Sequence, residues 1–191
     1  RSRLARAISF FVDVMTGIPS IVAGLFVYTG FILTLGLQRS GLAAGISLSI
    51  LMIPVVVRST EEMLRLVPRD LREASYALGV PKYRTILRVV IPSASTGIIT
   101  GAMLAVARVT GETAPLLLIG MVAFVRDFPG APMSGLFDPA SALPVQIYNW
   151  TQRGDPGFVE RASGAIIVLL VFLIVMNTAA IILRRRYERR W

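Results

Sequence analysis

The chain has 191 residues, 54% of them hydrophobic, with a mean hydropathy of +0.69 and a net charge of +9. A soluble domain of this length averages roughly 45–50% apolar residues without long apolar runs. Here the excess lies in blocks long enough to cross a bilayer, which predicts an all-helical integral membrane protein built as one bundle. The absence of histidine and cysteine excludes disulfides, Ser-His or Cys-His catalysis and the commonest zinc ligands.

The charge pattern argues against two further classes of protein. The basic residues crowd the ends of apolar blocks, as orientation bias in a membrane protein produces, so we expect no nucleic-acid partner and no metal site. The sequence has no glycine-rich phosphate loop, and its only lysine is Lys82. The chain is therefore expected to have no ATPase site of its own.

Four membrane spans are predicted within a single domain, 1–191. The first opens at Pro19, because proline suits the first turn of a helix. Pro54 lies near the predicted end of the second span, and Pro115 is expected to loosen the third. The four spans cover about 17–37, 42–57, 97–124 and 165–183.

The distribution of arginine and lysine predicts the orientation. With the N-terminus, residues 58–96 and the C-terminal tail in the cytoplasm, 15 of the 20 basic residues lie on that side. Four lie outside, namely Arg39, Arg126, Arg153 and Arg161. An even number of spans puts both ends of the chain on the same side, which agrees with this bias.

A short helix is predicted in the Pro- and Gly-rich outer segment. Leu143, Ile147 and Trp150 recur there at helical spacing. Two interpretations stay open, an amphipathic helix anchored at the membrane surface and a plain helix that packs on the bundle.

The segment 58–96 carries a spaced motif. Glu73-Ala74-Ser75 is followed after three residues by Gly79 and after nine more by Val89-Val90-Ile91-Pro92. This resembles the EAA loop of bacterial ABC-importer permeases, although Ser75 replaces the third residue of the pattern. The resemblance implies a coupling helix that docks in a cleft of an ATPase subunit, with Glu73, Ala74, Ser75, Gly79 and Pro92 as coupling residues. The small side chains would allow close approach, and Glu73 would fix the register by charge.

The third span contains two ionisable residues. Arg108 and Glu112 are four residues apart, which places them on one face of a continuous helix. Charges at membrane depth usually pair or line a watery path, and an arginine fork suits oxyanions. One interpretation is an anion-contacting Arg108 that Glu112 balances, and the other is a pair that only holds the bundle together. Arg58 follows Pro54 by one turn and either faces the same path or lies at the membrane boundary.

Three segments resemble the phosphate ABC-importer permeases, in particular their A-type subunit. They are Gly17-Ile18-Pro19-Ser20-Ile21-Val22-Ala23-Gly24-Leu25-Phe26, Ala107-Arg108-Val109-Thr110-Gly111-Glu112-Thr113-Ala114-Pro115 and Leu143-Pro144-Val145-Gln146-Ile147-Tyr148. The resemblance implies a type I ABC-importer transmembrane fold in the bacterial cytoplasmic membrane. It also implies that this chain supplies four of six helices, since the family has two further spans before them.

The same resemblance implies a set of partners. They are a paralogous second permease subunit in a heterodimer, two ATP-binding subunits that bind ATP and magnesium, an extracytoplasmic phosphate-binding protein, and membrane lipid. Two alternatives stay open at this point: a permease for another oxyanion such as sulfate or molybdate, and a non-transporting membrane scaffold.

Overall fold

The computed structural model describes residues 3–122 and 133–187. Within these ranges the chain is helical apart from short turns and one isolated bridge between Val122 and Ser141. The α-helices are α1 Arg3–Thr16, α2 Ser20–Val27, α3 Gly41–Leu66, α4 Arg69–Ala77, α5 Lys82–Thr85, α6 Ile91–Thr110, α7 Ala114–Ile119, α8 Leu143–Thr151 and α9 Pro156–Tyr187. Two π-helical segments, Tyr28–Thr34 and Ile86–Val90, and a 3₁₀ turn, Ser134–Leu136, complete them.

Three helical stretches of the described chain are each long and apolar enough to cross a membrane. They are Gly41–Leu66, Lys82–Thr110 and Pro156–Arg186. A fourth candidate is a bent pair, Arg3–Thr16 with Ser20–Thr34, whose two halves meet at 103°. The shortest single span has 26 residues, about 39 Å of helix, which exceeds the roughly 30 Å of a hydrocarbon core.

The second predicted span, 42–57, lies inside a longer helix. α3 continues past Pro54 and ends at Leu66, so the start of the predicted loop 58–96 is helical. Pro54 removes one backbone hydrogen bond from the helix. Its ring is fully buried, and packing around it offsets that loss.

The third predicted span, 97–124, is shifted towards the N-terminus. The continuous helix runs Lys82–Thr110, with Pro92 inside it rather than at the end of an amphipathic segment. The π-helical turn Ile86–Val90 directly precedes Pro92. A π-helical turn shifts the backbone bonding by one residue, which accommodates the ring and the missing donor.

The far half of that predicted span is not part of the same helix. α6 ends at Thr110, and Pro115 lies in the first turn of α7. Since Pro115 has no N–H for the carbonyl of Gly111, the sequence predicted loosening, and the structure has a full break. Five predicted features lie outside the described residues: the end of the span at 123–124, Arg1, Arg126, Arg189 and Arg190.

The first and fourth predicted spans, 17–37 and 165–183, also differ at their ends. α2 starts at Ser20 with Pro19 as its N-cap and continues as a π-helix to Thr34. The chain before it forms α1, although the sequence predicted only a tail there. α9 is 32 residues long, because polar residues such as Glu160 and Arg161 extend it at the outer end beyond its apolar centre.

Small residues set the closest helix crossings. On α6, Gly97 faces Met63 and Gly101 faces Ser59 of α3, and the missing side chains allow the two helices to approach closely. Gly24 of α2 lies so near α7 that an added Cβ would be 2.5 Å from the Cα of Pro115. Val27 of α2, Leu116 and Ile119 of α7, and Val145 of α8 belong to one buried hydrophobic core. Only 6% of the apolar window of α9 is buried within the described bundle.

Candidate functional site

Three features of the apolar helices meet at one place in the bundle, namely two breaks in the helical backbone and one proline inside a continuous helix. The first is the sharp bend between α1 and α2 at residues 17–19. The second is Pro54, at the middle of α3. The third is the break between α6 and α7 at residues 111–113. Backbone that is not helical at membrane depth is tolerated where it is buried in protein or lines a water-filled cavity.

A cavity of about 250 Å³ lies where these three features meet. The bend between α1 and α2, the middle of α3 and the end of α6 each contribute to its wall. The lining residues are Met15, Thr16, Ile18, Pro19, Ser20, Leu51, Pro54, Val55, Arg108, Val109 and Glu112. The cavity therefore combines apolar walls with one cation, one carboxylate and two hydroxyls.

Arg108 and Glu112 both line this cavity, but they do not form the predicted pair. α6 ends at Thr110, so the four-residue register that holds on a continuous helix does not extend to Glu112. Arg108 is exposed and Glu112 is half-buried. Among the ion pairs of the described residues, none joins these two side chains.

Arg58, the third residue predicted to face the path, lies elsewhere. Its guanidinium is ion-paired with Asp13 of α1 and donates a 3.0 Å hydrogen bond to Glu61 one turn along α3. It is not part of the cavity lining. In this structure Arg58 ties α1 to α3 and does not line the cavity that contains Arg108 and Glu112.

The predicted coupling residues lie at the end of α4 and in the turn after it. Gly79 has φ +73°, and its N–H donates to the carbonyl of Tyr76 while Val80 N–H donates to that of Ser75. This is a Schellman cap, which needs a left-handed residue at the position of Gly79. Glu73, Ala74 and Gly79 are exposed. Leu78, at 83% exposure, makes the tip of this turn an apolar surface.

Two other predicted coupling residues do not lie on that exposed tip. Ser75 is buried, and its hydroxyl shares a 2.9 Å hydrogen bond with the hydroxyl of Thr85. Ser75 therefore joins α4 to α5 instead of presenting a small side chain to a partner. Pro92 lies further along, in the first turn of α6. Arg72 donates to the carbonyl of Leu64 at 2.7 Å, which fixes α4 against the end of α3.

Sequence reasoning missed several residues of the site. Thr16 and Ser20 line the cavity, and Asp13 and Thr85 are the partners of Arg58 and Ser75. A signal for the first two was present, because Gly17 and Pro19 interrupt an apolar segment much as Pro115 does. Matched interruptions of that kind indicate a binding site in transporter sequences.

Solved structures with this architecture identify the fold. Two crystal forms of the inward-facing MetNI methionine ABC transporter match the chain with TM-scores of 0.68 and 0.72, at 22% and 19% identity. The matches cover 98% and 99% of this chain and 77% and 78% of the transporter chains. At such low identity the likeness establishes the fold, which is the transmembrane fold of a type I ABC importer.

Sequence comparison then gives the family. Residues 1–191 match the family described as "Binding-protein-dependent transport system inner membrane component", and the chain belongs to it. It is accordingly a multi-pass protein of the cytoplasmic membrane.

Several curated relatives cover nearly all of this chain. The phosphate transport system permease protein PstA 1 of Mycobacterium tuberculosis is 47% identical over 183 residues, or 95% of this chain. PstA of Mycobacterium leprae is 47% identical over 97% of the chain, and PstA of Xylella fastidiosa is 37% identical over 97%. The matches cover 58%, 59% and 63% of those relatives, so the chain spans about three fifths of their length.

Proposed function

We propose that the chain is a channel-forming permease subunit of an ATP-driven phosphate importer. The observation that carries the proposal is the convergence of two helix breaks and Pro54 on a cavity that contains Arg108. Relatives named as phosphate transport permeases align across this region. Guanidinium donates paired hydrogen bonds to tetrahedral oxyanions, and a low-dielectric site strengthens such bonds.

The exposure of Arg108 supports a path at an interface. Arg108 is exposed in the single chain, and in the proposed heterodimer a paralogous permease subunit covers it. Phosphate delivered by an extracytoplasmic binding protein would pass between the two subunits and contact Arg108 on the way. Glu112 lines the same path. Arg58 does not line it and instead holds α1, which contributes to the cavity wall, against α3.

Coupling to ATP hydrolysis is assigned to the turn after α4. Glu73, Ala74 and Gly79 are exposed there beside Leu78, and such a tip suits a cleft in an ATPase subunit. Thr85, which holds α4 through Ser75, starts the same continuous helix that carries Arg108 near its other end. About 35 Å of helix would thus connect the ATPase contact to the substrate path.

In the proposed complex, ATP hydrolysis takes place on other chains. Two ATP-binding subunits bind ATP and magnesium and hydrolyse the nucleotide, and this chain acts as a permease rather than as an enzyme. Its lipid-facing surface includes α9, and its basic tail lies on the cytoplasmic side with the ATPases.

Uptake competition tests the substrate. In vesicles reconstituted with the whole importer and its binding protein, radiolabelled phosphate is taken up on addition of ATP. We expect excess unlabelled phosphate or arsenate to abolish the signal and excess sulfate to leave it. Equal competition by sulfate or molybdate would assign the permease to another oxyanion.

A further inference from the structure

We propose that Glu112 accepts a hydrogen bond from the hydroxyl of the transported anion, and that this bond selects phosphate over oxyanions without a proton. The inference rests on the proposed function and specifies the chemistry of the same cavity. It assigns Glu112 a contact with the substrate in place of the charge-balancing role that its spacing suggested.

The polar groups of the cavity differ in whether they donate or accept hydrogen bonds. Arg108 only donates hydrogen bonds, whereas an ionised Glu112 only accepts them. Thr16 lies beside them, and its hydroxyl already donates to the carbonyl of Val12 at 2.8 Å, so its oxygen is left as an acceptor. The cavity therefore offers a donor fork together with acceptors.

A fully deprotonated anion has no proton to donate, so it cannot form hydrogen bonds with those acceptors. Sulfate and molybdate carry only acceptor oxygens at physiological pH, and a carboxylate beside them repels. Inorganic phosphate and arsenate keep at least one hydroxyl proton under the same conditions. With such an anion the contact with Glu112 becomes a charge-assisted hydrogen bond, while the other oxygens accept from Arg108.

The geometry leaves Glu112 available for this contact. Within the described part of the chain, its carboxylate is not ion-paired with Arg108, because the helix ends between them. Glu112 is half-buried in the cavity wall. Sites built around a hydrogen bond to a substrate hydroxyl reject analogues that lack it far more strongly than shape alone would.

The test is equilibrium anion binding by the purified, fully assembled importer in nanodiscs, without the binding protein. Inorganic phosphate, arsenate and sulfate are compared for the unaltered protein, Glu112→Gln and Glu112→Asp. Glutamine keeps the size of glutamate but replaces one acceptor with a donor, so phosphate and arsenate should bind about 10- to 100-fold more weakly. Sulfate should bind as well as before or better. Aspartate keeps an acceptor and should keep the preference for phosphate.

A Glu112→Gln importer that keeps the original ratio of phosphate to sulfate affinity would overturn the inference. Arg108→Ala in the same assay separates this failure from failure of the proposed function. If Arg108→Ala no longer binds any of the three anions, the result supports a substrate path through this cavity. Unchanged binding in Arg108→Ala would instead reject the cavity as the substrate path.

Discussion

Single residues in this chain act through their backbone as much as through their side chains. Gly79 is one of three glycines with positive φ in the described residues, and it alone ends the helix that carries the proposed coupling motif. No atom lies within 4 Å of the position that its Cβ would occupy. The requirement for glycine here is therefore conformational and not steric.

Gly79→Val should uncouple the ATPase without removing the protein from the membrane. A left-handed conformation costs a non-glycine residue about 1–2 kcal/mol, and the cost is at the upper end for a β-branched side chain. The docking-competent turn should lose population by a factor of about 5–30. Substrate-stimulated ATP hydrolysis by the assembled complex measures this loss.

Gly154→Val is the matched control, since Gly154 has open space around it and no positive φ. It should hydrolyse ATP like the unaltered complex. If Gly79→Val also retains full stimulation, the turn after α4 does not carry the coupling.

The sequence predicted which segments form long helices better than it predicted the residues at which those helices begin and end. The apolar segments 42–57 and 165–183 lie inside α3 and α9, because hydropathy over about 20 residues does not depend on local bonding. The observed helix ends differ from the predicted ones near proline residues. Pro54 and Pro92 lie within helices, since burial of the ring in one case and a π-helical turn in the other accommodate them.

At the candidate site, the sequence likewise predicted which residues are involved better than it predicted how they are arranged. The sequence singled out Arg108 and Glu112, which line one cavity, because ionised residues in an apolar run are costly and conspicuous. Their relation to each other was not predictable, since it depends on the break after Thr110. The ion pair of Arg58 with Asp13 was equally hidden, because it joins two helices that are distant in sequence.

The crossing of α3 and α6 should be intolerant of even one methyl group. An added Cβ at Gly101 would lie 2.9 Å from the Cβ of Ser59. In a helix without such a neighbour, Gly→Ala stabilises by about 0.5–1 kcal/mol. At Gly101 overpacking should reverse the sign and cost about 1–3 kcal/mol, seen as a lower melting temperature of the purified complex.

Two variants make this prediction specific to the crossing. Gly45→Ala, on α3 with nothing within 4 Å, should not lower the melting temperature. Adding Ser59→Gly to Gly101→Ala should recover most of the loss, because the two positions compete for one space. Equal melting temperatures for Gly101→Ala and Gly45→Ala would show that the two helices do not meet there.

At the scale of the whole molecule, one continuous helix connects the proposed coupling turn to the cavity. The helix Lys82–Thr110 begins beside the coupling turn and ends beside the cavity. Its neighbour α3 follows the same course, with Pro54 at the cavity and Leu64 bonded to Arg72 of α4. A displacement of α4 by an ATPase subunit would therefore reach the cavity through two packed helices, with no flexible segment between them.

The central claim is that Arg108 and Glu112 serve the transported anion and do not merely hold the bundle together. The most direct test is radiolabelled phosphate uptake by Arg108→Ala/Glu112→Ala, measured beside the amount of assembled complex in the membrane. Removing both charges together leaves no isolated charge in the cavity wall, and neither side chain is ion-paired with the other in the described residues. We predict normal assembly and loss of uptake, and near-normal uptake by the double variant would contradict the account.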